Sequence, residues 1–171
     1  MKKLIAIVAV LLVAPGLASA QGSDHPSRVQ GYVFLGEGPY SEDSADFRVG
    51  HVGGGGEVLL YKGLGIESEV GAMGRPGEGG VGIFSIDPSY QFLRSRRRSK
   101  LVPFVEAGYS RAFGNFGFTY SQDLLNFGGG IYYWPFKRVG LRLDFRDYVD
   151  HAWGYGVTTN YPAFRVGLAL R

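Results

Sequence analysis

The chain has 171 residues, 45% of them hydrophobic and 15% aromatic, with 28 glycines and no cysteine. Without cysteine there is no disulfide framework and no thiolate metal site, and the apolar fraction is too high for a disordered chain. The formal charge of +3 is partly an N-terminal matter, as the first element shows.

Met1-Lys2-Lys3 is a short basic start, Leu4 to Val13 is a continuous apolar run, and Ala18-Ser19-Ala20 places small residues before Gln21. The run is too short to span a bilayer, so residues 1–20 read as a secretory signal peptide cut between Ala20 and Gln21. Residues 21–171 then form one exported domain. Lys2 and Lys3 are the only charges lost with the leader, so the formal charge falls to +1. A nearly neutral chain offers no clustered basic face and excludes nucleic acid as a partner.

No later stretch is long and apolar enough for a membrane helix. The apolar positions recur instead with period two, the mark of strands. Eight runs stand out, at 28–37, 52–61, 64–73, 81–93, 101–113, 124–134, 139–148 and 162–171. Each can cross a bilayer when tilted, which takes about 9 to 11 residues. In the third, Leu64, Ile66, Ser68 and Val70 oppose Gly65, Glu67, Glu69 and Gly71. In the fourth, Phe84, Ile86, Pro88 and Tyr90 oppose Ser85, Asp87, Ser89 and Gln91. The sixth run is ambiguous because glycine blurs both of its faces. The seventh is the clearest, with Val139, Leu141, Leu143 and Phe145 against Gly140, Arg142, Asp144 and Arg146, and the eighth repeats it with Phe164, Val166, Leu168 and Leu170 against Arg165, Gly167, Ala169 and Arg171.

Connection lengths alternate in this reading. Short turns fall at 62–63, 94–100 and 135–138, and long loops at 38–51, 74–80, 114–123 and 149–161. That pattern predicts an all-β, eight-stranded antiparallel up-and-down transmembrane barrel with its short turns on the periplasmic side. A soluble lipocalin-type barrel has the same period with its apolar face inward. Lysine usage favours the membrane form: beyond the leader it occurs only at Lys62, Lys100 and Lys137, all in short turns, whereas soluble sheets usually carry lysine on their faces and edges.

An arginine facing lipid near the midplane costs roughly 2–4 kcal/mol, so the charged faces must point inward. This puts Glu57, Glu67, Glu69, Asp87, Glu106, Arg142, Asp144, Arg146 and Arg165 in the interior, acids mainly from early strands and arginines from late ones. Closure is expected to pair them in a narrow, plugged lumen. Two aromatic girdles are expected, one from Tyr109, Phe113, Phe116, Phe118, Tyr148, Trp153, Tyr155 and Tyr161, the other from Phe92, Phe104, Trp134 and Phe136.

Phe127-Gly128-Gly129-Gly130-Ile131-Tyr132 and Gly140-Leu141-Arg142-Leu143-Asp144-Phe145-Arg146-Asp147-Tyr148, with the leader and the eight alternating runs, resemble the small outer-membrane β-barrel family of the OmpA-transmembrane-domain and OmpX type. The resemblance covers nearly the whole exported chain. It implies residence in the Gram-negative outer membrane, contact with its lipids and assembly machinery, and surface ligands reached through the long loops. Members commonly end on an aromatic residue, whereas this sequence ends Leu168-Ala169-Leu170-Arg171.

Some barrels of this size modify lipid A. A deacylase of that kind uses a His-x-Ser pair on a late strand. Here only His25-Pro26-Ser27 has that spacing, and it precedes the first strand. Asp147, Asp150 and His151 are the remaining acid and base candidates, placed in the last loop. Gly77 to Gly82 matches G-x-G-x-x-G but leads into a strand, and Gly53 to Gly56 lacks the Lys-Ser/Thr of a phosphate loop, so bulges or lumen clearance explain it better. Glu42, Asp43 and Asp46 are a weak cation candidate beside the plainer reading of a solvated acidic loop, and Arg94, Arg96, Arg97, Arg98 and Lys100 suit anionic headgroups or simply water. The reading that follows is a non-enzymatic barrel without cofactor, metal or catalytic residues, with a structural or surface-interaction role. A lipid A-modifying enzyme on the same scaffold and a soluble lipocalin-like binder are the alternatives.

Overall fold

A computed structural model describes residues 28–42, 45–75, 79–93, 100–115, 119–152 and 157–171. The expected leader with its predicted Ala20–Gln21 cleavage point, and the His25-Pro26-Ser27 triplet after it, lie outside the described residues, as does the arginine run 94–98. Eight strands make up the fold: β1 (Val29–Glu42), β2 (Ala45–Tyr61), β3 (Leu64–Arg75), β4 (Gly79–Gln91), β5 (Leu101–Asn115), β6 (Thr119–Tyr133), β7 (Val139–Ala152) and β8 (Val157–Leu170). Each pairs antiparallel with its sequence neighbours, and β1 closes on β8 from Gly31↔Leu170 to Glu37↔Phe164, so the sheet is a barrel without a free edge. The β2–β3 hairpin turns on Lys62 and Gly63, both left-handed at φ 47° and 94°, as the tightest hairpins require.

The expected long loops are corrected by this geometry. The β1–β2 ladder continues from Gly38↔Val49 to Glu42↔Ala45, β5–β6 reaches Asn115↔Thr119, and β7–β8 reaches Ala152↔Val157. Most of 38–51, 74–80, 114–123 and 149–161 is therefore strand, and the longest connection is 92–100, on the lysine-bearing side. The reason is that alternation is a signal of contrast between apolar and polar faces. Where a strand projects into water on both faces the contrast vanishes, while cross-strand backbone pairing continues regardless of side chain.

The two faces separate sharply. Outward residues such as Leu125 and Phe164 are 62% and 66% exposed, while inward Arg142 and Arg146 are 0% exposed. This is the reverse of an apolar-lined soluble barrel. In the ambiguous β6, Leu124, Asn126 and Tyr132 are buried, as is Trp134 just past its end, and Leu125, Phe127, Ile131 and Tyr133 face out. Outward charges appear at one end of the apolar band, as the pairs Arg48–Glu37 (2.6 Å) and Arg111–Asp123 (3.1 Å), and the lysine-bearing turns lie at the other.

The girdle assignment also needs correction. Tyr109, Phe113, Phe92 and Phe136 do face outward, but Phe104, Trp134 and Tyr148 are buried in the interior. Height along a strand does not fix facing, and these three share parity with Glu106, Tyr132 and Arg146. Tyr161 is half-buried, and Phe116, Phe118, Trp153 and Tyr155 lie outside the described residues.

Candidate functional site

The interior is stacked in layers. Near the lysine-bearing turns, Tyr32, Phe34, Val102, Phe104, Tyr132, Trp134 and Ala169 form one apolar cluster. Toward the opposite mouth Met73, Ile83, Ala112, Leu124 and Tyr148 form another. Between them lie the ionised side chains, which strand alternation directs inward from β3, β4, β5, β7 and β8.

Three arginines join this layer. Arg142 places Nη1 2.8 Å from Glu67 Oε2, Nη2 2.9 Å from Glu106 Oε2 and Nε 2.7 Å from Asp144 Oδ2. Arg146 reaches Glu67 at 2.8 Å, Asp87 at 3.0 Å and Glu106 from Nε at 2.9 Å. Arg165 bridges Asp144 (Nε to Oδ1, 2.6 Å) and Glu69 (Nη1 to Oε1, 2.8 Å). Each guanidinium thus contacts at least two carboxylates through charge-assisted hydrogen bonds. Glu57 stands apart. Its carboxylate accepts from Gln30, from Ser89 Oγ at 2.5 Å and from Gln91 Nε2 at 2.7 Å, and no arginine pairs with it among the described residues.

Neutral polar side chains that the sequence reading did not single out complete the network. Tyr32 Oη donates to Glu67 at 2.6 Å, Asn126 Nδ2 donates to Asp87 at 2.7 Å, and Tyr132 Oη accepts from Arg142 Nη1 at 2.7 Å. The Arg142 guanidinium also lies 4.0 Å from the Tyr32 ring centroid and 4.5 Å from that of Phe104, a favourable arrangement for a desolvated cation. With five carboxylates around three arginines, these hydroxyl and amide donors supply hydrogen bonds that the arginines cannot. Their signal in the sequence was parity: each lies an even number of positions from an inward charge or amide on its own strand.

Glycine makes room for the crossing side chains. A Cβ on Gly55 would sit 2.6 Å from Tyr32 Oη, and one on Gly108 would collide with the Asp87 carboxylate. Gly53, where a Cβ would sit 2.8 Å from the Phe34 ring, and Gly55 are therefore clearance along β2. Asp147, Asp150 and His151 lie in β7 and not in a loop, and strand alternation sets Asp150 on the face opposite Asp147, so the three do not form one cluster.

No family model matches this sequence, and no curated protein matches it. Solved structures do. The N-terminal β-barrel domain of Pseudomonas aeruginosa OprF superimposes with a TM-score of 0.61 over 85% of this chain and 98% of that one, at 14% identity. Neisserial surface protein A gives 0.63 over 84% and 97%, at 13% identity, and a de novo designed transmembrane β-barrel gives 0.55 over 87% and 98%, at 15%. The chain has the fold of an eight-stranded transmembrane β-barrel. At such identities the likeness is one of architecture, and the interior network has to be read from this barrel's own residues.

Proposed function

We propose that this is an integral outer-membrane barrel with a structural or surface-interaction role and an interior closed by paired charges. The observation that carries the reading is the inversion of the two faces: apolar residues surround a closed ladder while arginines and carboxylates are buried within it. In water that outer band would be a large exposed apolar surface. In a bilayer it is the expected lipid contact, flanked by polar ends. The fold shared with OprF and Neisserial surface protein A supports the same placement.

In this reading residues 1–20 are removed at Ala20–Gln21, the lysine-bearing turns face the periplasm, and the charged pairs Arg48–Glu37 and Arg111–Asp123 lie at the outer surface. Partners are the membrane lipids, the assembly machinery and a surface ligand. With the long loops replaced by projecting strands, recognition belongs to the barrel mouth and the upper strand walls.

Four measurements test the proposal. The chain should remain with the outer membrane after carbonate washing, run faster on gels before heating than after, and carry Gln21 at its N-terminus. In planar bilayers it should give no steady conductance, since the interior of an eight-stranded barrel is about filled by side chains. Recovery in the soluble periplasmic fraction would overturn the membrane assignment, and a stable open channel would overturn the closed interior.

A further inference from the structure

At the lysine-bearing end of the barrel, hydrogen bonds clip three stretches of chain together. The Trp134 N–H donates to the Lys100 carbonyl at 2.7 Å, the Arg171 N–H donates to the Arg138 carbonyl at 3.0 Å, and Arg171 Nε donates to the Lys137 carbonyl at 3.1 Å. The Arg171 guanidinium lies 4.2 Å from the Trp134 ring centroid, which holds the turn after β6 against the end of β8. Lys100, Lys137 and Arg138 are thereby brought to one edge of the barrel, all three exposed. We propose that this edge is a binding site for a phospholipid of net negative charge, such as phosphatidylglycerol, with its phosphate at the three cations and its acyl chains along the wall above them. The inference rests on the membrane reading of the preceding section and deepens it by naming a lipid class and its place.

Three observations define the ligand. The positive charge is unopposed: the sequence has no Asp or Glu in 92–105, 127–143 or 151–171, and no ion pair among the described residues engages Lys100, Lys137 or Arg138. At the other end of the apolar band the outward arginines Arg48 and Arg111 each have a carboxylate partner. An apolar wall begins one residue from the cations, where Leu101 pairs with Tyr133 and Val139 pairs with Leu170, and all four side chains face outward and are exposed. A ligand that spans both zones is anionic at one end and hydrocarbon at the other. Lastly, the cations suit a phosphodiester, because the Arg138 guanidinium offers a planar fork to two phosphate oxygens and the lysines act as point charges. A choline lipid would bring its own cation into the cluster, so the site selects a headgroup that has none. Lys62 lies on the β2–β3 turn, across the closed barrel from the β6–β7 turn, and serves as a control.

The chain has no cysteine, so Phe136→Cys, at a position 69% exposed in the turn, accepts a single fluorophore. The labelled chain is inserted in phosphatidylcholine vesicles and checked for the heat-dependent gel shift. Phosphatidylglycerol or phosphatidylcholine bearing a nitroxide high on the acyl chain is then added as quencher. Half-quenching is expected at a mole fraction on the order of tenfold lower for phosphatidylglycerol. A label at Leu125→Cys, toward the other end of β6, should show no such preference. Replacing Lys137 and Arg138 together by glutamine should bring the two lipids within about twofold, and Lys100→Gln, which leaves the turn untouched, should lower the preference about threefold. Lys62→Gln should leave it unchanged. Equal quenching by both lipids, or an equal loss of preference in Lys62→Gln, would overturn the site while leaving the membrane reading intact. Release of the lipid by inorganic phosphate, beyond that caused by sodium chloride of equal ionic strength, would mean that the cluster takes a free anion and would overturn the lipid assignment. Quenching by neither lipid, with no heat-dependent gel shift, would sink the membrane reading and the site together.

Discussion

Arg142 and Glu67 meet across the barrel interior at 2.8 Å, although 75 residues separate them in the chain. Both side chains are fully buried, and each has further partners of opposite charge: Glu67 also meets Arg146 at 2.8 Å, while Arg142 also meets Glu106 at 2.9 Å and Asp144 at 2.7 Å. This long-range pairing ties β7 to β3, strands that share no ladder, and it adds a transverse link to a wall otherwise held by nearest-neighbour backbone bonds.

Replacing Arg142 with methionine should therefore destabilise the barrel by about 3–5 kcal/mol, because Glu67, Glu106 and Asp144 each lose a direct cation contact without access to water. Glu57→Gln should cost only about 1 kcal/mol, since its partners Gln30, Ser89 and Gln91 are neutral and no charge is stranded. Urea titration of the refolded protein, followed by the fast-migrating unheated gel band, compares the two. Equal losses would mean that the interior arginines are hydrated and the network is not dry.

The outer face makes a depth-dependent prediction. Leu143 lies 53% exposed in the middle of the apolar band, between Leu141 and Phe145 on the same face of β7. Leu143→Arg should destabilise the membrane-inserted barrel by about 2–4 kcal/mol. Arg48→Ala, which removes an exposed pair with Glu37 at the rim, should change stability by no more than about 1 kcal/mol. Both are read by the same urea titration in lipid vesicles. A tolerated Leu143→Arg would show that the band does not contact hydrocarbon.

These two faces were legible in the sequence wherever one strand could be read alone. In β7, Leu141 and Leu143 stand against Arg142 and Asp144, and no alternative register leaves the arginines out of lipid. β6 could not be read in this way, because Gly128, Gly129 and Gly130 occupy both faces and carry no side-chain signal. Facing is a local property, but partner choice is not. That Arg165 reaches Glu69 and Asp144, or that Glu57 is left to amides and a hydroxyl, depends on how strands stagger around the closed barrel. No single strand encodes that stagger. The aromatic and amide members of the network were missed for a related reason, since Tyr32 and Asn126 read as ordinary core until a buried charge is seen beside them.

The β2–β3 turn offers a test that is independent of the interior. Gly63 has φ 94°, and a Cβ there would run into the Gln91 carbonyl oxygen, so Gly63→Ala should cost at least about 1 kcal/mol. Lys62 holds φ 47° with a full side chain, at odds with a left-handed cost of roughly 1–2 kcal/mol. Lys62→Asn should relieve part of that cost and raise the urea midpoint. A lowered midpoint for Lys62→Asn would mean that the lysine ammonium, 4.9 Å from the Tyr61 ring centroid, contributes more than the backbone strain removes.

Limited trypsin digestion separates projecting strands from surface loops. Arg48 is exposed and would be an open cleavage site if 38–51 were a loop, but it lies in β2 within the continuous ladder Gly38↔Val49, Pro39↔Arg48 and Tyr40↔Phe47. A protease must draw several residues of extended chain into its cleft, which here requires opening that ladder and separating Arg48 from Glu37. The intact barrel should therefore resist cleavage after Arg48 under conditions that cut the heat-unfolded chain within minutes, as mass spectrometry of the fragments would show. Rapid cleavage at this position in the folded protein would mean that β1 and β2 part below Gly38, and that the outer surface is made of loops after all.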